Sequence, residues 1–339
     1  MIRFPKIDLH LHLDGSVEPE TIWVLAAQQG VTVGGGSPEG YRRLIAESAN
    51  CGSVNRYLEM FETPLAVMQD RESLTRVTRE LIETLSAQGL CYAEVRFAPQ
   101  LHTRRGLSQA DAVEAVIEGR RQALESRPGI GIGILLCTMC VGPEAANWKE
   151  NWETAELAGA YLGRGVAGMD LAGAEGIVPL RNFAPLFHRA LELGVPCTCH
   201  AGDSQGPETV REAMDFGVRR IGHGHRICED KDLCRRAAAE GIVLEICPTS
   251  NIQCRTQPSY RAHPAKALLD MGIAVTINTD NMALAGVSLD TEYGHCLREM
   301  GFSEKDLVRM ARNAVEGAFL PEAEKTVLRN RLDQAEKSR

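Results

Sequence analysis

The sequence predicts an α/β protein, a (β/α)8 TIM barrel with a helical insertion after its first strand and extra helices at its C-terminal end. Apolar strand-like runs alternate with helical patterns along the 339 residues, which is typical of a parallel sheet. Eight such runs can be counted, and eight βα units that close on themselves form a barrel. Because barrels commonly exceed the length of an average domain, residues 1–339 are expected to form a single domain.

The first predicted strand carries the clearest chemical pattern. Apolar residues alternate with polar ones over residues 6–15, and alternate side chains of a strand share one face: here Asp8, His10, His12 and Asp14. A surface strand is the plainer explanation of such an alternation, but the opposite face is apolar, as in a strand covered on both sides. Two imidazoles at this spacing can bind one metal ion.

The remaining elements follow in order along the chain. A helix is expected from Val17 to Gly30, with Ser16 as its cap and Pro19 in its first turn. Helical periodicity over 41–89 predicts an insertion that covers the mouth of a site. Further strands are expected at 91–97, 130–139, 166–171, 195–199, 220–222, 242–247 and 273–278. Helices are expected at 108–126, 147–163, 180–193, 207–216, 229–240 and 264–271, with two more after Ser303.

The competing architecture is an open, doubly wound sheet. Such a sheet is expected to carry a glycine-rich phosphate fingerprint after an early strand, and the sequence has none. Internal repeats, low-complexity tracts and linkers are also absent from the sequence. These observations favour the barrel.

Composition narrows the classes of partner. The net charge of -8 and the lack of a basic stripe argue against a nucleic-acid surface. No apolar run approaches the roughly 18 residues that span a membrane. The N-terminal residues lack the apolar core of a signal peptide, so a cytoplasmic protein with a small-molecule partner is expected, without nucleic acid or membrane; the sequence defines no oligomeric state.

Eleven cysteines are scattered through the apolar runs. Cys137 and Cys140 have the C-x-x-C spacing of redox and zinc sites, but no second pair follows at a suitable distance. In a reducing compartment these thiols are expected to be small buried apolar groups.

The predicted chemistry lies at the carboxyl ends of the strands, where barrel enzymes build their active sites. These ends concentrate histidines, carboxylates, amides and one arginine: His10, His12, Asp14, Arg96, Asp170, His200, Asp203, His223, His225, Asn251, Asp280 and Asn281. Each has a plainer reading by itself, such as a core histidine, a helix cap at Asp203 or a turn residue at Asn281. Three histidine nitrogens with one carboxylate oxygen suit zinc that keeps an open position for water.

The motifs at these strand ends resemble, in order and over essentially the whole length, those of the adenosine deaminase family of amidohydrolase barrels. They are the segments 8–15, 170–173, 200–203, 221–224, 247–251 and 278–280. The resemblance implies one Zn²⁺ per chain, held by His10, His12, His200 and Asp280. Related barrels with two metals commonly use a bridging lysine after the fourth strand, and none occurs between Lys149 and Lys231.

The resemblance also implies roles for the other residues of the rim. Asp203, His223 and Asp280 are the implied catalytic residues: Asp203 protonates a ring nitrogen, His223 assists deprotonation of water and stabilises developing charge, and Asp280 orients the water. The implied substrate-binding residues are His12, Asp14, Gly173 and Asn281. Among them, Gly173 offers a backbone amide to the ring and Asp14 faces the sugar.

Four substitutions separate this sequence from the usual family pattern, and two of them concern residues that would touch the base. Asp203 stands where the family has a glutamate, and a donor displaced by about 1 Å can cost on the order of 100-fold in rate. Asn281 stands where a second aspartate is usual, and its amide can donate directly to a ring nitrogen. Ala174 and His225 also replace residues that are often Asp and Tyr. These changes concern the substrate more than the reaction type.

The function expected from the resemblance is zinc-dependent hydrolytic deamination of an amino-purine nucleoside, with adenosine or deoxyadenosine as the default substrate. The product is the 6-oxo compound, with release of ammonia. One alternative keeps the chemistry but acts on adenine, a modified adenosine or another amino-heterocycle. The other alternative is a metal-binding scaffold that binds a nucleoside without efficient catalysis.

Overall fold

The protein is a closed barrel of parallel strands, seen in a computed structural model that describes residues 4–142 and 146–337. Its strands are β1 (Lys6–His12), β2 (Leu90–Phe97), β3 (Gly131–Cys140), β4 (Val166–Gly173), β5 (Thr198–Ala201), β6 (Arg220–His223), β7 (Val243–Ile246) and β8 (Ala274–Ile277). They form two four-stranded sheets, in the orders β1-β2-β3-β4 and β5-β6-β7-β8. Parallel bridges between Met169 and Cys197, and between Leu11 and Asp280, join the sheets at both edges. The predicted (β/α)8 barrel is therefore confirmed.

Helices surround the barrel and cover one end. In chain order they are α1 (Pro19–Gln29), α2 (Pro38–Ala49), α3 (Val54–Glu59), α4 (Glu62–Val67), α5 (Arg71–Ala87), α6 (Gln109–Ser126), α7 (Trp148–Tyr161), α8 (Ala184–Glu192), α9 (Pro207–Asp215), α10 (Lys231–Glu240), α11 (Pro248–Gln253), α12 (Ala265–Asp270), α13 (Met282–Ala285), α14 (Leu289–Arg298), α15 (Glu304–Gly317) and α16 (Glu322–Lys337). Helices α2–α5 form the predicted insertion, and α15 and α16 are the two predicted C-terminal helices. Within the described ranges, no helix has the length and apolar character needed to cross a membrane.

Strand β1 is buried on both faces, as its alternation predicted. Ile7 and Leu9 are at most 1% exposed, and Asp8 and His10 are fully buried. Leu9 packs outward, where its Cδ1 lies 3.4 Å from the position of a Cβ on Gly317 of α15. The polar face therefore points into the barrel, because successive side chains of a strand alternate between its two faces.

The N-terminus of α1 differs from the prediction. The helix starts at Pro19 with Glu18 as N-cap and without a side-chain cap, so the prediction that Ser16 caps it is wrong. Ser16 lies in a separate 3₁₀ turn, and its Oγ accepts a hydrogen bond from the Met282 amide at 3.2 Å. The serine therefore ties β1 to the loop after β8. At the other end, Gly30 closes the helix with a left-handed φ of 67°, as predicted.

Candidate active site

The carboxyl ends of the strands surround a cavity of about 320 Å³. The predicted site residues that line it are His12, Asp14, Gly173, His200, Asp203, His223, Asp280 and Asn281. His10 is fully buried, and its ring centre lies 4.6 Å from that of His200. The fold therefore brings together every residue that the sequence singled out for catalysis, substrate binding or metal ligation.

The predicted metal ligands converge on one point. Each of His10, His12 and His200 offers one ring nitrogen, and these three nitrogens all lie within 4.8 Å of one another. Oδ1 of Asp280 lies 3.6 Å from Nε2 of His10 and 3.4 Å from Nε2 of His12. His10 and Asp280 also lie within 4.8 Å of donor atoms of His223 and Cys247, which form a second candidate set.

Carboxylates lie behind two rings of the first set, and the one behind His200 has no counterpart in the second set. Nδ1 of His10 lies 2.8 Å from Oε2 of Glu245, and Nδ1 of His200 lies 3.0 Å from Oδ2 of Asp170. Histidines that bind zinc commonly donate their second ring nitrogen to a carboxylate in this way. Nε2 of His10 is buried without a hydrogen-bond partner. An unpaired buried nitrogen is costly, so these residues fit a bound metal ion.

Two buried arginines hold the supporting carboxylates. Arg96 donates to Oδ2 of Asp170 at 2.8 Å and to Oε2 of Glu245 at 2.9 Å, while Nε of Arg220 donates to Oε1 of Glu245 at 2.6 Å. Burial opposes ionisation of Glu245, but the charges on Arg220 and Arg96 outweigh it and keep the pKa well below its usual value. The carboxylate therefore stays ionised and orients the ring of His10.

Two of the predicted catalytic residues have unusual backbone conformations. His223 has a φ of 61° and Asp280 a φ of 59°, in the left-handed region that residues other than glycine rarely adopt. Each such residue costs about 1–3 kcal/mol, and such conformations cluster at functional sites. His223 is the last residue of β6 and Asp280 lies three residues after the end of β8, and both line the cavity.

Asp203, the predicted proton donor, is buried in a polar pocket beside the cavity. Its Oδ1 accepts hydrogen bonds from Nδ2 of Asn251 and Oγ1 of Thr256, both at 2.8 Å. Burial would raise the pKa of Asp203, but His223, His225 and the Thr256 hydrogen bond outweigh burial and lower it. His225 is fully buried with Nδ1 3.8 Å from Oδ1 of Asp203, and burial lowers its own pKa to about 4.

A single carboxylate anchors the loop that carries Asp203. Glu175 accepts hydrogen bonds from four consecutive backbone amides, those of Gly202 (2.7 Å), Asp203 (3.1 Å), Ser204 (2.7 Å) and Gln205 (2.9 Å). Because β4 and β5 are neighbours in the barrel, Glu175 can reach this loop directly from the end of β4. The position of the loop that carries Asp203 is therefore set by Glu175, which follows the neighbouring strand β4.

The predicted substrate-binding residues also line the cavity. Asp14 accepts a hydrogen bond from the Gly15 amide at 3.1 Å, and burial raises its pKa to about 6. Asn281 has a buried amide oxygen without a partner. A Cβ on Gly15 would lie 1.9 Å from that oxygen, so only glycine leaves room for the Asn281 side chain. Gly173 has a φ of 103°, which also favours glycine.

The insertion supplies an apolar wall over the site, as its position in the sequence predicted. Side chains from α3, α4 and the turn between them line the cavity: Val54, Tyr57, Leu58, Phe61 and Leu65. Cys137 and Cys140 of β3 are buried and also line the cavity. All eleven cysteines are free thiols.

Sequence reasoning assigned no role to Glu245, Glu175 or Thr256. Glu245 left a signal, because it is an acidic residue inside the otherwise apolar run 242–247 and a buried charge requires partners. Glu175 and Thr256 left none, since their contacts depend on how neighbouring loops pack. Asn251 was part of a motif, but its contacts to Asp203 and His223 are visible only in three dimensions.

Comparison with known proteins agrees with this geometry. The family described as adenosine deaminase matches residues 5–335. An adenosine deaminase of Haemophilus ducreyi is 37% identical over 337 residues, which cover 98% of this chain and 97% of that protein. An adenosine deaminase of Clostridium acetobutylicum is 34% identical, with 98% of each chain covered.

Two solved structures share the fold across the whole chain. Adenine deaminase of Arthrobacter aurescens has a TM-score of 0.88 and 28% identity, covering 98% of this chain and 99% of the other. The Arabidopsis N6-mAMP deaminase has a TM-score of 0.85 and 26% identity, with 98% of both chains covered. The motifs, the barrel and these matches lead to one conclusion: this chain belongs to the adenosine deaminase family.

Proposed function

We propose that this member of a family of metal-dependent hydrolytic deaminases acts on a neutral amino-purine nucleoside, with adenosine or deoxyadenosine as the default substrate and zinc as its metal. The observation that carries the proposal is the convergence of His10, His12, His200 and Asp280 at a cavity that Asp203 also lines. A candidate metal site and a carboxyl group thus face one cavity, which is the arrangement that hydrolytic deamination of a heterocycle requires.

The chemistry divides between the metal and the side chains. His10, His12, His200 and Asp280 would hold zinc, which supplies a nucleophile by lowering the pKa of water from about 15.7 to near 7. Asp280 accepts the proton that the attacking water loses. Asp203 donates a proton to the ring nitrogen beside the amino-bearing carbon, which makes that carbon electrophilic. After water adds, the proton held by Asp280 passes to the amino group, which leaves as ammonia. The added hydroxyl group loses its proton and becomes the oxo group, and this proton replaces the one that Asp203 gave to the ring.

The charge of the cavity favours a substrate without a phosphate. Its described lining residues include four acids and no lysine or arginine: Asp14, Glu175, Asp203 and Asp280. The three residues that follow Gly142 in the sequence are Pro, Glu and Ala, and none of them is a cation. Phosphate recognition usually relies on arginine or lysine. A nucleotide substrate such as N6-mAMP, named for the Arabidopsis relative, would therefore be repelled here.

Asp14 favours a nucleoside over a free base. Its carboxylate accepts one hydrogen bond, from the Gly15 amide, and its remaining lone pairs at the cavity can accept from a hydroxyl group. Free adenine is the second candidate, because adenine deaminase of Arthrobacter aurescens shares the fold at a TM-score of 0.88. Adenine has no hydroxyl group to use this acceptor.

Ammonia release by the zinc-loaded protein from adenosine, 2'-deoxyadenosine, adenine and AMP tests the proposal. We expect kcat/KM of about 10⁴ M⁻¹s⁻¹ or more for a nucleoside, an ordinary enzymatic efficiency. AMP is expected to be at least about 100-fold poorer, which corresponds to about 2.7 kcal/mol of repulsion. Faster turnover of adenine than of either nucleoside would favour the second candidate, and fast turnover of AMP would contradict the charge argument.

A further inference from the structure

We propose that Asn251 is a positioning residue that fixes where two active-site protons can sit: on Oδ2 of Asp203 when that acid carries a proton, and on Nε2 of His223. The inference rests on the proposed function for its catalytic meaning, but the proton positions follow from contacts that exist without a substrate. Asn251 is fully buried between the two residues and contacts both through one amide nitrogen.

A backbone amide, which can only donate, determines the tautomer of His263. The backbone amide of Ala265 donates to Nδ1 of His263 at 3.1 Å, so that ring nitrogen is an acceptor. Burial, followed by the neighbouring His225 and His223, holds the pKa of His263 well below its usual value. The ring is therefore neutral and carries its one proton on Nε2.

The proton on His263 orients the amide of Asn251. Nε2 of His263 lies 3.2 Å from Oδ1 of Asn251 and donates to it. The opposite amide orientation would place two donors against each other. Nδ2 of Asn251 must therefore point away from His263, toward the catalytic residues.

Nδ2 of Asn251 carries two hydrogens, and the structure offers two acceptors for them. Oδ1 of Asp203 lies at 2.8 Å and Nδ1 of His223 at 3.2 Å. An amide NH2 group only donates, so Nδ1 of His223 must accept. A neutral imidazole that accepts at Nδ1 carries its proton on Nε2.

The same contacts determine where Asp203 can carry a proton. Oδ1 of Asp203 receives a second hydrogen bond from Oγ1 of Thr256, also at 2.8 Å. Two donors occupy the lone pairs of this oxygen. When Asp203 is protonated, the proton therefore sits on Oδ2, which is left to meet the ring nitrogen of the substrate.

These proton positions assign different work to the catalytic residues. With its proton on Nε2, His223 donates a hydrogen bond to the reacting oxygen and stabilises its developing charge, rather than accepting a proton from water. Asp280 is then the proton acceptor, and Asp203 is the proton donor. The amide of Asn251 thus sets the proton positions of both donors, Asp203 and His223.

The ¹⁵N spectrum of zinc-loaded protein labelled at histidine tests the tautomer directly, with His223 assigned from the spectrum of His223→Gln. We expect an unprotonated Nδ1 on His223 in the wild type. Asn251→Asp keeps the size and the acceptor for His263 but places an acceptor against His223, so its proton should move to Nδ1. A protonated Nδ1 in the wild type, or an unchanged tautomer in Asn251→Asp, would overturn the proposal.

Kinetics of Asn251→Ala with Thr256→Val as the matched control test the functional half. Thr256→Val removes a donor to Asp203, together with a 3.2 Å contact to the backbone carbonyl of Asn251, but leaves the Asn251 amide against His223. Its kcat should fall by on the order of tenfold while the His223 signal stays in place. Asn251→Ala should lower kcat on the order of 100-fold, with KM and zinc content changed by less than about threefold. A wild-type kcat in Asn251→Ala would contradict the proposal. Failure of the proposed function would show as inactive wild-type protein, and the spectrum would still decide the tautomer.

Discussion

Oε2 of Glu245 lies 2.8 Å from Nδ1 of His10 and accepts a hydrogen bond from Arg96 at 2.9 Å. One buried oxygen thus joins a predicted metal ligand to the charged interior of the barrel. The ring of His10 is fixed with Nε2 toward His12 and Asp280, so its orientation is set before any metal binds. This preorganisation is what supporting carboxylates contribute to zinc sites.

Replacing Glu245 by Gln should lower zinc affinity by about 10- to 100-fold, because the amide is a weaker acceptor for the His10 ring. Zinc competition with a chelator measures this change. Glu94→Gln is the matched control, since Glu94 also pairs with the buried Arg220 but contacts no histidine of the site. Both variants should lose stability, and an equal loss of zinc affinity in the control would show that the effect is not local to His10.

Asp280→Ala should abolish both stoichiometric zinc and activity, because Oδ1 of Asp280 lies between His10 and His12 at the proposed metal position. Asp280 has a left-handed φ of 59°, which strains alanine, so Asp280→Asn provides a second variant whose side chain tolerates that conformation. Metal analysis and ammonia release measure the two effects. An active alanine variant with one zinc per chain would remove Asp280 from the ligand set.

Asp203→Asn should leave zinc in place and lower kcat by roughly 100-fold or more, which is the usual contribution of a general acid. The amide keeps the size of the side chain but has no acidic proton to transfer. Zinc content and steady-state kinetics on the best substrate measure the change. An unchanged kcat would mean that another group protonates the ring.

Glu175→Ala should lower kcat while zinc content is retained, because the four amides that hold the Asp203 loop lose their shared acceptor. A donor displaced by about 1 Å can cost on the order of 100-fold in rate. Steady-state kinetics and zinc analysis measure the two properties, with Glu208→Ala in the following helix as a control. A rate equal to that of the control would show that the loop holds its position without Glu175.

Stability should fall as pH rises because of Glu292, a fully buried carboxyl group beneath the site. Burial raises its pKa from 4.5 to about 8, so between these values the folded state holds a proton that the unfolded state releases. The loss should reach at most about 1.4 kcal/mol per pH unit and end above about pH 8. The Tm of Glu292→Gln minus that of the wild type should be larger at pH 8.5 than at pH 5. An equal difference at both pH values would contradict this.

The barrel and the location of the site could be predicted from the sequence because their signals are local. Alternation in β1, with His10 and His12 on one face, survives as a pattern in any fold that buries that strand. The eight apolar runs and the polar residues after them specify which end of the barrel carries the chemistry. The prediction for the N-terminus of α1 was wrong because the backbone turns at Asp14–Ser16 before the helix begins. Ser16 therefore accepts a hydrogen bond from the Met282 amide instead of capping the helix.

The supporting contacts could not be predicted, because they join residues far apart in the chain. Glu245 is 235 positions from His10, and Asn251 is 48 positions from Asp203. Their partners depend on strand register and loop packing, and no spacing rule in the sequence encodes either. The residues implied to perform the chemistry were therefore visible in motifs, whereas the contacts that orient them were not.

Titration of zinc into metal-free protein, with adenosine deamination followed at each step, tests the central claim most directly. If His10, His12, His200 and Asp280 hold a single catalytic zinc, activity should be absent at the start, rise linearly and reach its plateau at one zinc per chain. Full activity without metal, or a plateau only at two zinc ions per chain, would contradict this account.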